Sequence, residues 1–387
     1  MSIKQLLGGV RYVLSPYRLA ISYNGPLSHK LRFIKYAKAA RNNGVAFMRI
    51  ERVASELTEA FYSVKDMNTN DKSWFISQGY NPNRKAWYGM TKKNYKDYLS
   101  LFDFYNRQNY TYGDLTSLFD NKLSTFFLLQ PFKEAMPFHY FFIRKGAIFP
   151  LQVEGKHNYK SEDILSLIEQ KPIVFKRCHG GHGAGFIMAE KKDDSFYVNR
   201  EKMARQDVIS LINGLDDYIV TDYIIPCLEI RKIVGSGAYA VLRVLTVYDD
   251  VDGPQVIAMM VRLGSKKAGL TQAEHDYIYV GVDIDSGKMY DPIYEISDYE
   301  YRHITIHPDT KEVIEGAVVP NISQLRELVK NVSGHLSVTP YLCFDIIPSD
   351  NGFIILEINS HGQAFTVEPY YKVKTNKYFK KVLISTH

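Results

Sequence analysis

From residue 120 to 370 the chain is a succession of short apolar runs broken by polar turns, and this texture decides the fold class. Such runs, bounded by turn signals and rich in β-branched and aromatic residues, read as strands. KPIVFKR (171–177) is a buried-strand pattern. It follows a helical pattern, SEDILSLIEQ, whose expected cap is Ser161. FIMAEK (186–191) and SFYVN (195–199) read as a hairpin across KDD, and DDYIVTDYI (216–224) as a further strand. AYAVLRVLTVYD (238–249) and PQVIAMMVRLG (254–264) read as a hairpin across DVDG. Helix SQLRELVKNV (323–332) precedes a last hairpin, YLCFDII (341–347) with FIILEIN (353–359), joined by PSDNG. Strands joined by short turns pair antiparallel, whereas parallel strands need long crossovers. The expected class is therefore α+β on a largely antiparallel sheet, not a doubly wound βαβ plan. Residues 27–65 read as helical from their apolar spacing, and 66–110 as polar with short helical patterns.

Composition narrows the function classes. A chain of 387 residues with 45% hydrophobic and 23% charged residues, 29 Tyr and 21 Phe, is globular and not disordered. Cys178, Cys227 and Cys343 are far apart with no C-x-x-C pair. That excludes a zinc ribbon or a thioredoxin-type site and suits a reducing, cytoplasmic setting. No apolar stretch reaches membrane-spanning length. The start, interrupted by Lys4, Arg11 and Arg18, lacks a secretory h-region. Residues 1–50 nevertheless hold nine basic residues and no acidic one, although the whole chain balances 48 basic against 42 acidic. A solvated helical face explains this start as well as a docking surface for anionic membrane does. No nucleic-acid module is recognisable, so nucleic acid is not an expected partner.

Two constellations carry chemistry. The first is Lys176 on a strand followed by Cys178-His179-Gly180-Gly181-His182-Gly183-Ala184-Gly185. No Lys-Ser/Thr follows the last glycine and the Rossmann spacing fails, so neither a Walker nor a dinucleotide loop is present. What remains is a strand lysine and a flexible loop whose backbone N–H groups can approach a phosphate. The second is the last hairpin. Glu357 and Asn359 are two apart on a strand and share a face, with Phe353 and Ile355 expected on that face too. A five-residue turn at 348–352 pairs Asp345 with Ile355, diagonal to Glu357. Two carboxylates and an amide oxygen are hard ligands suited to Mg²⁺ bridging nucleotide phosphates. Without a cation the two carboxylates repel.

Together these features resemble the ATP-grasp superfamily, and most of all its sugar-transfer-associated members from surface-polysaccharide loci. FDNKLSTFFLLQPF, VFKRCHGGHGAGF, VLRVLTVYD, VRLG and FDIIPSDNGFIILEINSHG carry the resemblance over residues 120–365. It implies two α+β lobes gripping a nucleotide, set here at 111–220 and 221–387, behind a mainly helical region at 1–110. It implies ATP and Mg²⁺ as cofactors. Within Asp120-Asn121-Lys122, Lys122 is the first nucleotide lysine and Lys176 the second. Gly180, Gly181, His182, Gly183 and Gly185 form the lid over the phosphates. Thr221, Asp222, Tyr223 and Ile224 are the adenine hinge, and Glu229 is the ribose acid. Asp345, Glu357 and Asn359 are the metal ligands. Arg243, Arg262 and Lys176 are the catalytic cations, and His361 is a substrate contact. The activity implied is an amide-forming ligase that activates a carboxylate as an acyl phosphate for attack by an amine, on a polysaccharide sugar or its precursor. A kinase acting on a small-molecule or sugar acceptor and a non-catalytic nucleotide-binding scaffold are the alternatives. The segment 265–281 departs from the family pattern.

Overall fold

The computed structural model describes residues 16, 20, 23–45, 47–65, 67–105, 115–119, 121–155, 158–180, 185–235, 237–265, 276–297, 300–360 and 364–384. The chain forms two compact units, one of residues 1–113, 296–301 and 364–387, the other of 114–295 and 302–363.

The first unit is helical, as its periodicity requires. Helices α1 (Leu27–Asn42), α2 (Phe47–Ser63), α3 (Thr69–Ser77) and α4 (Arg84–Tyr88) follow one another. Phe33, Tyr36, Ala37 and Ala40 form the buried face of α1, while Ile50, Val53, Ala54 and Leu57 of α2 are fully buried. Asn68 caps α3 by accepting a hydrogen bond from the Asp71 N–H at 2.9 Å.

The second unit holds two seven-stranded antiparallel sheets, apart from residues 296–301 of the second sheet. The first contains β1 (His139–Arg144), β2 (Ala147–Pro150), β3 (Ile173–Arg177), β4 (Ile187–Lys192), β5 (Ser195–Val198), β6 (Glu201–Met203) and β7 (Tyr218–Asp222), in the order β2-β1-β7-β3-β4-β5-β6. Helix α5 (Lys122–Leu128) precedes it. Helices α6 (Ser161–Ile168) and α7 (Arg205–Asn213) pack Ile164, Leu165, Val208 and Ile212 into its core. The residue satisfying the start of α6 is not Ser161. Asp163 accepts from the Lys160 backbone N–H at 2.9 Å, so Lys160 is the cap position and Ser161 the first helical residue.

The second sheet follows α8 (Leu228–Val234). It contains β8 (Ala240–Asp249), β9 (Gly253–Gly264), β10 (Tyr277–Val282), β11 (Met289–Ser297), β12 (Glu300–His303), β13 (Tyr341–Ser349) and β14 (Gly352–Asn359), in the order β12-β11-β10-β9-β8-β13-β14. Helix α9 (Ile322–His335) lays Leu325, Val329 and Val332 on one face, against Leu242, Val244, Val261 and Phe344. Burying those three side chains contributes about 5–9 kcal/mol before entropy is subtracted. Because side chains alternate along a strand, the odd partners are presented on the opposite face. Arg243 lies opposite Asp345, and Val241 opposite Arg262.

The last hairpin differs from the sequence expectation in two ways. Ser349 pairs with Gly352, so the loop is Asp350-Asn351 alone and not residues 348–352. Gly352, at φ +111°, and the Ser349 hydroxyl donating to its carbonyl at 2.8 Å allow this tight reversal. Ile346 then pairs with Ile355, but Asp345 pairs with Glu357, leaving Leu356 as an extra residue in β14. This bulge resets the alternation. Phe353, Ile355 and Ile358 enter the core, and Glu357 lies directly across from Asp345 instead of sharing a face with Phe353 and Ile355.

Candidate functional site

Lys176 sits on β3 opposite Ile219 of β7 and lines a solvent-open cavity. Its ammonium makes no hydrogen bond or ion pair with any described residue. Burial pushes its ammonium down to about 8; the Lys122 charge adds to this and the Glu357 carboxylate opposes it. An unpartnered ammonium facing a cavity is a charge that an anionic ligand can complete. Asp222, Tyr223 and Ile224 line the same cavity, beside Tyr239 and the bulged Leu356. Thr221 does not; it is buried in the sheet between Val174 and His139. Glu229 is exposed in the first turn of α8 and is not among the cavity residues.

Lys122 reaches the site through a chain of hydrogen bonds absent from the sequence reading. It is the first residue of α5. The Asn121 side-chain oxygen caps that helix, accepting from the N–H groups of Leu123 at 2.8 Å and Ser124 at 3.2 Å. The Asn121 amide must then donate, and it meets His179 Nε2 at 2.9 Å. His179 Nδ1 is 2.7 Å from Asp217, which fixes the proton on Nδ1 and leaves Nε2 as the acceptor. The Lys122 N–H donates to the Cys178 carbonyl at 2.9 Å, and its ammonium donates to the Gly180 carbonyl at 3.1 Å. That ammonium also stands 3.5 Å from Glu357. The start of the glycine loop is thus laced to the first lysine. At its far end Gly185 has φ +74°, and an added Cβ there would lie 2.6 Å from the Arg177 side chain. Asp120, Gly181, His182, Gly183 and His361 lie outside the described residues.

The acidic hairpin faces these lysines, with cations already in place. Arg243 grips Asp345 through two hydrogen bonds of 3.0 Å, both side chains largely buried. Burial works against the arginine's charge, but the adjacent Asp345 overcomes that and holds Arg243 well above its ordinary range. The carboxylate repulsion expected from the sequence is therefore relieved by side chains, Arg243 on Asp345 and Lys122 near Glu357. Arg243, expected among the catalytic cations, uses its Nε and one terminal nitrogen on Asp345. Asn359 is partly exposed, two residues beyond Glu357 and opposite Cys343. No cluster of three His, Cys, Asp or Glu side chains suited to a metal occurs among the described residues. The donors fit instead a hard cation shared with phosphates, which commonly takes one or two carboxylates from the protein.

Arg262 lies on the same sheet face, almost buried, its guanidinium 5.4 Å from the Tyr277 ring and 5.8 Å from that of Tyr279. Its Nε has no hydrogen-bond partner among the described residues. Two groups beside the site escaped the sequence reading. Tyr279 donates to Glu295 at 2.9 Å in a buried pair across β10 and β11. His139 lines a second cavity with Lys122 and Glu357. Its Nδ1 donates to the Pro137 carbonyl at 2.7 Å, and burial lowers its pKa to about 4, so the ring is neutral.

Sequence comparison with curated proteins returns no significant match. Among solved structures, the chain is similar to an ADP complex of N5-carboxyaminoimidazole ribonucleotide synthetase. Identity is 11%, over 65% of this chain and 47% of that one, with a TM-score of 0.37. D-alanine–D-alanine ligase from Bacillus anthracis matches at 13% identity over 69% and 65%, TM-score 0.35. A biotin carboxylase–ATP complex from Campylobacter jejuni matches at 13% over 69% and 46%, TM-score 0.37. The chain thus spans about half the length of the synthetase and carboxylase, and less than two thirds of the ligase. The decisive comparison is with a family: residues 102–370 match the sugar-transfer associated ATP-grasp family, and the chain belongs to it.

Proposed function

We propose that this protein is an ATP-dependent carboxylate–amine ligase that modifies a surface-polysaccharide sugar or its precursor in the cytoplasm. The observation that carries the reading is Lys176, a half-buried ammonium without a partner among the described residues, in the cavity that Asp222, Tyr223 and Ile224 also line. Membership of a sugar-transfer associated family supports the substrate class.

In this reading the two sheets of the second unit are the two lobes. The hinge Asp222–Ile224 and Tyr239 hold the base. Lys176 and Lys122 neutralise the phosphate oxygens, and the glycine loop from Gly180 to Gly185 closes over them and excludes water. Glu357, Asn359 and the lone pairs that Arg243 leaves on Asp345 would hold Mg²⁺, which would supply positive charge to the phosphates. Lys122, now 3.5 Å from Glu357, would turn to the phosphates on nucleotide binding and free that carboxylate. Arg262, with its unpaired Nε, orients the substrate carboxylate. A carboxylate oxygen attacks the γ-phosphorus and ADP leaves. An amine nitrogen then attacks the acyl carbon, phosphate leaves, and the amine proton passes to solvent.

A screen of ADP release across sugar acids paired with amines tests this. Release that requires both a carboxylate and an amine, with phosphate and an amide as products, is expected. A stable phosphorylated hydroxyl product with no need for an amine would show a kinase instead.

A further inference from the structure

Helix α1 has two unlike faces. Phe33, Tyr36, Ala37 and Ala40 face inward. Arg32 is also engaged there, its Nε donating to the Tyr62 hydroxyl at 3.0 Å with the guanidinium 3.6 Å from the Phe61 ring centre. The outward face opens with Leu27 and Leu31, one turn apart and 74% and 60% exposed. Among the described residues of the first unit they are the only large apolar side chains so exposed. Lys35 continues the same stripe a turn further on, exposed, and the half-buried Lys30 flanks it. The helix contains Lys30, Arg32, Lys35, Lys38 and Arg41 but no Asp or Glu.

Single exposed leucines need no explanation, but a pair at helical spacing inside a wholly cationic segment does. Water is a poor environment for the leucines, and an apolar protein groove is a poor one for the lysines. A bilayer surface with anionic headgroups satisfies both. Leucines enter the acyl boundary while lysine stems lie along it and their ammonium groups stay among the phosphates. Each such lysine contributes attraction only near a negative surface, and salt screens it. We propose that the outward face of α1, built on Leu27, Leu31, Lys30 and Lys35, docks this protein reversibly on anionic lipid bilayers. Two leucines and a few cations give weak, readily reversed attachment, not insertion. No helix among the described residues is long and apolar enough to cross a membrane.

The test is co-sedimentation of the full chain with phosphatidylcholine vesicles with and without phosphatidylglycerol, at low and high salt. Binding to the anionic vesicles alone, lost at high salt, is expected. Leu27→Ser/Leu31→Ser and Lys30→Glu/Lys35→Glu should each weaken it by roughly tenfold or more. Lys30→Gln/Lys35→Gln should weaken it less, and serves if charge reversal harms folding. Circular dichroism and nucleotide binding report whether the fold and the site survive, so failure here is separable from failure of the ligase reading. Equal binding to neutral vesicles, no binding at all, or undiminished binding by these variants would overturn the proposal. So would a concentration-dependent dimer that the leucine variants abolish while leaving vesicle binding intact.

Discussion

Replacing Lys176 with methionine should make the free protein more stable and the nucleotide complex much weaker. The side chain is half-buried without a partner among the described residues, and its pKa falls from 10.5 to about 8. At ~1.4 kcal/mol per pH unit that corresponds to as much as about 3.5 kcal/mol spent on holding a charge there. The direction with pH follows from linkage. Below about 8 the lysine is protonated both folded and unfolded. Between about 8 and 10.5 the unfolded chain binds a proton that the folded chain does not, so stability rises with pH across that window. Lys176→Met removes that rise and raises the melting temperature at neutral pH by several degrees, at ~2–4 °C per kcal/mol. Against this, one ammonium near phosphate oxygens at ~4 Å and an effective dielectric of ~20 is worth up to about 4 kcal/mol. Losing about 2–4 kcal/mol weakens nucleotide binding roughly 30- to 1,000-fold. Scanning fluorimetry from about pH 6 to about pH 11, a range that brackets both values, and calorimetric titration with ATP and Mg²⁺ read both effects. A variant that melts lower than the parent at neutral pH, or binds nucleotide as tightly, would refute the reasoning.

Other perturbations separate positioning from packing. His179→Ala breaks the link from Asp217 to Asn121 and should weaken nucleotide binding ~3- to 10-fold, the worth of one or two hydrogen bonds, with little change in melting; an unchanged affinity would remove His179 from the site. Arg243→Met leaves Asp345 buried and uncompensated and should cost ~3–5 kcal/mol in denaturant unfolding; Arg243→Met/Asp345→Leu should recover most of that, and no recovery would mean the pair is not the cause. Gly185→Ala must hold a side chain at φ +74° against Arg177 and should lose ~1–3 kcal/mol of stability; an unchanged melting curve would count against the loop's conformation.

What the sequence revealed depended on how local each signal was. The β8–β9 and β13–β14 hairpins are readable because long apolar runs flank short polar turns, and Asp249 and Gly352 sit at those turns. Lys122, Lys176 and the glycine loop are readable as local motifs in order along the chain. The bulge at Leu356 was not, because IILEI contains no glycine or proline to mark a backbone irregularity, and the pleat alone decides which side Glu357 takes. The Arg243–Asp345 fork joins residues 102 apart and depends on the register of two strands brought together by a helix. The Asp217–His179–Asn121 chain likewise spans the bend before β7, a loop and a helix cap. Strand β10 lies in the segment where the family pattern lapses, so the pairing of Tyr279 with Glu295 appears only in three dimensions.

The most direct test of the site is calorimetric titration of a non-hydrolysable ATP analogue into the parent protein and Glu357→Gln, each with and without Mg²⁺. Tight binding by the parent that depends on Mg²⁺, and loss of that dependence in a folded Glu357→Gln, is the expected result. Binding that ignores both the metal and Glu357, or no binding by the parent at all, would contradict a metal-bound triphosphate held between Lys122, Lys176 and the acidic hairpin.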